Sequence, residues 1–184
     1  MTKVANMQPK LRWVGLLGAA IMVAAAPYAR PVLATPASGG FVSTTLAVGR
    51  FGDIHVFNHL VPPELWNSGQ DSDVWHSFQQ TKGASDAYVQ SNVFPPGASS
   101  GWHTHPGHSL IIVAAGTVTA YDGDDADCSP HVYTHGMGFV DPGGDHVHNI
   151  RNEEAVEART IVVQLIPADA NRRIDAEDPG NCAF

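Results

Sequence analysis

The sequence predicts an all-β protein, and three observations carry that prediction. Short runs rich in β-branched and aromatic residues recur along the chain, turn residues separate them, and no amphipathic helix longer than two turns stands among them. Many short strands with regular turns belong to a sandwich or a barrel. A length of 184 residues suits one domain, and 43% hydrophobic with 15% charged content is that of a globular chain.

The first element is not part of that domain. Lys3, Lys10 and Arg12 form a basic start, Trp13 to Ala26 is uncharged and apolar, and Val32-Leu33-Ala34 offers small residues to a signal peptidase. Residues 1–34 are therefore expected to be a signal peptide, cut after Ala34. Cleavage after Ala26 would leave Pro27 behind the cut. An uncleaved anchor would want about 20 apolar residues, more than this run offers. The expected location is secreted or periplasmic, with no stable membrane span after cleavage. Removing Lys3, Lys10, Arg12 and Arg30, and no acidic residue, moves the formal charge from −8 to −12. That balance excludes nucleic acid and anionic membrane as partners, since both need clustered Lys and Arg.

Residues 35–40, Thr-Pro-Ala-Ser-Gly-Gly, read as a flexible linker, and 41–184 as a single domain. Within it the expected strands are 41–48, 54–57, 74–81, 86–94, 110–115, 117–121, 131–134, 146–151 and 158–166. Ala87 to Phe94 is rich in strand formers, and Pro95-Pro96-Gly97 stops it. Leu110-Ile111-Ile112-Val113 reads as a buried strand, with a tight bend at Gly116. Pro62 through Gly69 reads as an irregular loop, and no internal repeat is present. Cys128 and Cys182 are expected to pair in an oxidising compartment and to pin the tail from Pro179 to Phe184. Free thiols or thiolate ligands are the alternative, disfavoured because neither cysteine sits in a Cys-x-x-Cys or Cys-His cluster.

The candidate site begins at Gly101-Trp102-His103-Thr104-His105. Histidines two apart on a strand project from the same face, and two solvent-facing imidazoles would satisfy the same spacing. Gly97, five residues, His103, Thr104, His105 and a closing Gly116 resemble the first motif of the cupin superfamily, Gly-x5-His-x-His-x3-Glu-x6-Gly. The second motif, Gly-x5-Pro-x-Gly-x2-His-x3-Asn, is approached by Gly136, Pro142, Gly144, His148 and Asn152. Counting forward from Pro142 lands on Val147, whereas counting back from Asn152 lands on His148. One inserted residue in the Pro142-Gly143-Gly144-Asp145 turn reconciles the two. The resemblance spans about residues 86–166.

The resemblance implies a double-stranded β-helix, or jelly-roll, barrel with His103, His105 and His148 pointing inward to hold one divalent ion. Fe, Mn, Zn, Ni and Cu are not distinguished. Neutral imidazoles on adjacent strands suit such ions at about 2.0–2.2 Å. His146 shares strand parity with His148 and is a further candidate ligand, a polar lining residue being its other reading. The resemblance also implies a small-molecule ligand or substrate, homodimers through strand edges, and a dioxygenase-type oxidoreductase or else a non-catalytic binder.

One departure matters for chemistry. The motif glutamate falls at Ser109, a poor ligand. Three neutral imidazoles would leave a divalent ion its full +2, favouring anionic substrates. His108 lies on the opposite parity and is expected to face out. The acidic stretch Asp122 to Asp127 lacks a calcium-loop ladder and reads as a solvated turn. Trp102, Phe94, Tyr88 and Phe139 read as core or cavity lining, and Arg151 as a surface ion pair or an anion contact. No Gly-x-Ser-x-Gly elbow supports serine hydrolysis.

Overall fold

The computed structural model describes residues 34–60 and 75–184. The expected leader up to residue 33, the Pro62 to Gly69 loop and Val74 lie outside the described residues. Within them the chain is all β, and no helix there is long and apolar enough to cross a membrane. In order the strands are β1 (Val42–Phe51), β2 (His55–Leu60), β3 (Trp75–Gln80), β4 (Ser85–Phe94), β5 (His103–Thr104) and β6 (Ser109–Ala115). Then follow β7 (Thr117–Asp122), β8 (His131–Thr134), β9 (Gly138–Asp141), β10 (His148–Arg151), β11 (Ala158–Pro167) and β12 (Ile174–Asp175).

Two five-stranded antiparallel sheets make a jelly roll. One has the order β1-β4-β11-β6-β9 and the other β12-β5-β10-β7-β8, while β2 and β3 pair as a separate hairpin. The core between the sheets takes Phe94, Val113 and Ala158 from the first and Val118, Ala120 and Ile150 from the second. Period-two burial explains how the strands meet it. Along β11, Ala158, Thr160, Val162, Gln164 and Ile166 are buried while their alternates are not. The same rule corrects the reading of Leu110 to Val113 as a wholly buried strand. Ile111 and Val113 face the core, but Leu110 and Ile112 are about half exposed, at 48% and 50%.

Turn chemistry closes the barrel. Gly116 (φ 69°) turns β6 into β7 where a Cβ would lie 2.7 Å from the carbonyl oxygen of Glu157. Asn152 is buried and clamps the turn after β10: its amide donates to the carbonyls of Phe94 and Val156, and its Oδ1 accepts from the Glu154 N–H.

Residues 35–40, read from composition as a flexible linker, run along the domain. The Thr35 N–H donates to Ala176 O and the Ser38 N–H to Ser99 O. Such pairing needs no apolar side chains, so composition does not report it. The short strands β9 and β12 were also silent in the sequence, since two to four residues carry too little periodicity. Cys128 and Cys182 are joined in a disulfide that closes 54 residues and holds the tail, whose Asn181 donates to the carbonyls of Asp122 and Asp125. Phe184 stacks over Trp102, and the Arg151 guanidinium sits 4.0 Å above the Phe184 ring while pairing with Glu153. Arg151 thus serves the tail. The acidic turn is built on Asp125, which accepts from the N–H groups of Asp127 and Ser129.

Candidate metal centre

Strand register brings the histidines together. His148 in β10 lies directly opposite His103 in β5, and His105 follows two residues on, so three rings converge with centroids 4.3, 4.8 and 5.5 Å apart. One ring nitrogen from each lies within 4.8 Å of the others, and all three residues are buried. His103 Nδ1 is 2.8 Å from the carbonyl of Gly101 and His105 Nδ1 is 2.6 Å from that of Arg172. A carbonyl only accepts, so Nδ1 carries the proton in both rings and Nε2 presents a lone pair. That is the arrangement of metal-ligating histidines, whose other nitrogen donates to a fixed acceptor. Burial lowers the pKa of His103 well below the usual imidazole range, lowers that of His105, and brings that of His148 down to about 4. The donors are neutral at neutral pH, and the set fits a borderline divalent ion.

A carboxylate stands nearby that the motif count did not anticipate. β9 runs beside β6 in a register that places Asp141 directly across from Ser109, the position of the missing glutamate. Asp141 is buried, its Oδ2 lies 3.4 Å from the Ser109 hydroxyl, which donates to it, and 3.8 Å from His105 Nε2. The expectation of an ion keeping its full +2 among neutral groups alone is therefore corrected, because one anionic side chain lies at the rim of the three imidazoles. Once 138–141 forms β9, Phe139 and Asp141 share its parity, so the acid sits on the same side as an aromatic packed on the core.

His146 is not on a strand. β10 starts at His148, and His146 lies in the preceding turn, so the parity argument did not apply to it. The structure places it outside the group of three imidazoles and beside Asp141 and Asp122, with Nδ1 3.3 Å from Asp141 Oδ1 and Nε2 3.1 Å from Asp122 Oδ1. Gly143 (φ 70°) lets this turn pass against the carbonyls of Gly107 and His105, where a side chain has no room, and its N–H donates to Asp141 Oδ1.

The three histidines open on a cavity of about 50 Å³, bounded also by Phe94, Gln90, Gln164, Arg172 and Arg173. The two arginines, from the segment between β11 and β12, were not singled out by the sequence. Burial and the neighbouring Arg173 lower the pKa of Arg172. Arg173 Nε pairs with Asp175, while its buried Nη2 has no hydrogen-bond partner among the described residues. Of the remaining histidines, His59 and His76 face each other at 3.0 Å on the β2–β3 hairpin, and His131 Nε2 lies 3.5 Å from Asp122.

Residues 92–164 match the profile of the cupin domain. No curated protein sequence matches the chain. Solved structures do. A protein of unknown function from Streptococcus pyogenes is 18% identical over 44% of this chain and 65% of its own, with a TM-score of 0.38. A double-stranded β-helix protein from Klebsiella pneumoniae is 21% identical over 50% of this chain and 75% of its own, with a TM-score of 0.42. A polyketide cyclase from Streptomyces resistomycificus is 20% identical over 50% of this chain and 64% of its own, with a TM-score of 0.42. The chain thus spans just under two thirds of the first and third of these proteins.

Proposed function

With residues 92–164 a cupin domain inside an all-β jelly roll, we propose that the protein is an exported, divalent-metal-binding cupin that acts as a dioxygenase-type oxidoreductase on a small organic anion. The observation that carries the reading is the convergence of His103, His105 and His148, two of them with Nε2 freed by a carbonyl bonded at Nδ1. A bound divalent ion supplies Lewis-acid and, where the metal is redox-active, electron-transfer chemistry. The chain's own groups do the rest. The three imidazoles hold the ion, Phe94 and the barrel wall exclude water, and Arg172 with Arg173 attracts and orients an anionic substrate. Export is supported by the basic and apolar start of the chain and by a disulfide, which persists in oxidising compartments.

A second reading is a non-catalytic cupin that binds a small ligand or a metal without turnover. The small cavity, about 50 Å³, favours it. Metal analysis of the purified protein beside His103→Ala tests the site: one equivalent of metal lost in the variant is expected, and a protein that no divalent ion loads rejects it. Oxygen uptake by the loaded protein with small phenols, diketones, thiols and carboxylates separates enzyme from binder. Uptake with one of them is expected, and none with any of them selects the binder. N-terminal sequencing of exported protein should begin at Thr35.

A further inference from the structure

The third of the converging imidazoles carries one of several buried polar atoms left without a partner among the described residues. His148 is 4% exposed, and its Nδ1 makes no hydrogen bond among the described residues. That nitrogen faces Asp141 Oδ1 at 3.5 Å. The same oxygen is 3.3 Å from His146 Nδ1, while His146 Nε2 is 3.1 Å from Asp122 Oδ1. An imidazole with one ring proton donates to one of these carboxylates and has a lone pair left on its other nitrogen, whereas a ring with two protons would donate to both. A cation among Asp141 Oδ1 and the two Nδ1 atoms uses that lone pair and gives the buried His148 nitrogen a partner.

The distances have the right size. Bonds of about 2.0–2.2 Å at tetrahedral angles separate neighbouring ligand atoms by roughly 3.3–3.6 Å. Asp141 Oδ1 stands 3.3 and 3.5 Å from the two imidazole nitrogens, and each of the three residues brings one ligand atom within 4.8 Å of the others. We propose that Asp141, His146 and His148 form a second site, for a divalent ion of the zinc type, beside the one built on His103 and His105. Asp122 fixes the His146 ring from outside the site, as the carboxylate partners of metal-bound histidines do. The fourth position opens on a separate cavity of about 120 Å³, bounded by Tyr133, His131 and Asp122, which leaves room for water or a small ligand. His148 belongs to both groups, so filling both sites would take both of its ring nitrogens, its one ring proton leaving to solvent.

Zinc titration followed by dialysis and metal analysis tests the site on the wild-type protein, His146→Ala and His103→Ala. Two equivalents per chain are expected in the wild type and one in each variant. His146→Ala binding as much zinc as the wild type overturns the inference. Loss of one equivalent in His146→Ala with none lost in His103→Ala upholds this site and instead removes the three-imidazole reading, so the two fail separately. Cadmium NMR gives a second check: two resonances are expected in the wild-type protein, and a single one at saturation that persists in His146→Ala overturns the second site.

Discussion

His103 and His148 are register partners across β5 and β10, with ring centres 4.3 Å apart. A ladder, rather than a flexible loop, therefore sets the separation of two candidate ligands, and removing either leaves the other rigidly held with His105 as its one remaining imidazole partner. Loss of a partner outside the coordination sphere costs roughly 10–100-fold in metal affinity, so loss of a ligand costs at least about 100-fold. His148→Ala should lower cobalt or zinc affinity by that much or more in a competition titration, while circular dichroism stays that of a β protein.

Acid should weaken the metal-free protein in a defined window. Burial brings His148 down to about 4 from the ordinary imidazole value of 6.5, and lowers His103 and His105 in the same direction. Between those values the unfolded chain takes up protons that the folded chain refuses, so stability falls as pH falls from about 6.5 to about 4. Asp86 acts lower on the scale. Two bonds from Arg50 and one from the Asp169 N–H hold it at about 2, so its contribution is complete above the usual carboxylate value and is lost as pH falls through about 2. Denaturant midpoints against pH, with His148→Ala flattening the upper limb, check both.

Asn152→Ala should destabilise by about 1–3 kcal/mol, because it leaves the buried carbonyl of Phe94 without its donor and unties the turn at Val156. The motif asparagine acts here as a backbone clamp. A urea midpoint shift with zinc stoichiometry unchanged is the expected pair of results.

Breaking the disulfide should cost about 2–4 kcal/mol, since the bond closes a long loop. Cys182→Ser also releases the tail whose Phe184 packs on Trp102, Tyr121 and Arg151. Thermal melts with and without reductant should differ for the wild type and coincide for a Cys128→Ser/Cys182→Ser variant.

The sequence by itself determined the β class, the cysteine pair and three histidines that the fold brings together, because these rest on local rules. The His-x-His spacing keeps His103 and His105 together although β5 ends at Thr104, Gly116 marks the bend, and Asn152 sets the count back to His148. Tertiary structure decided what depends on which strands are neighbours. Asp141 sits 32 residues from Ser109 and meets it only through the β6–β9 ladder. Arg172 and Arg173 reach the cavity from a segment with no motif, and His146 leaves the three imidazoles because its backbone is a turn rather than a strand. Periodicity reports which side of a strand a residue occupies. It carries no information about the strand lying alongside, and that neighbour supplies the carboxylate.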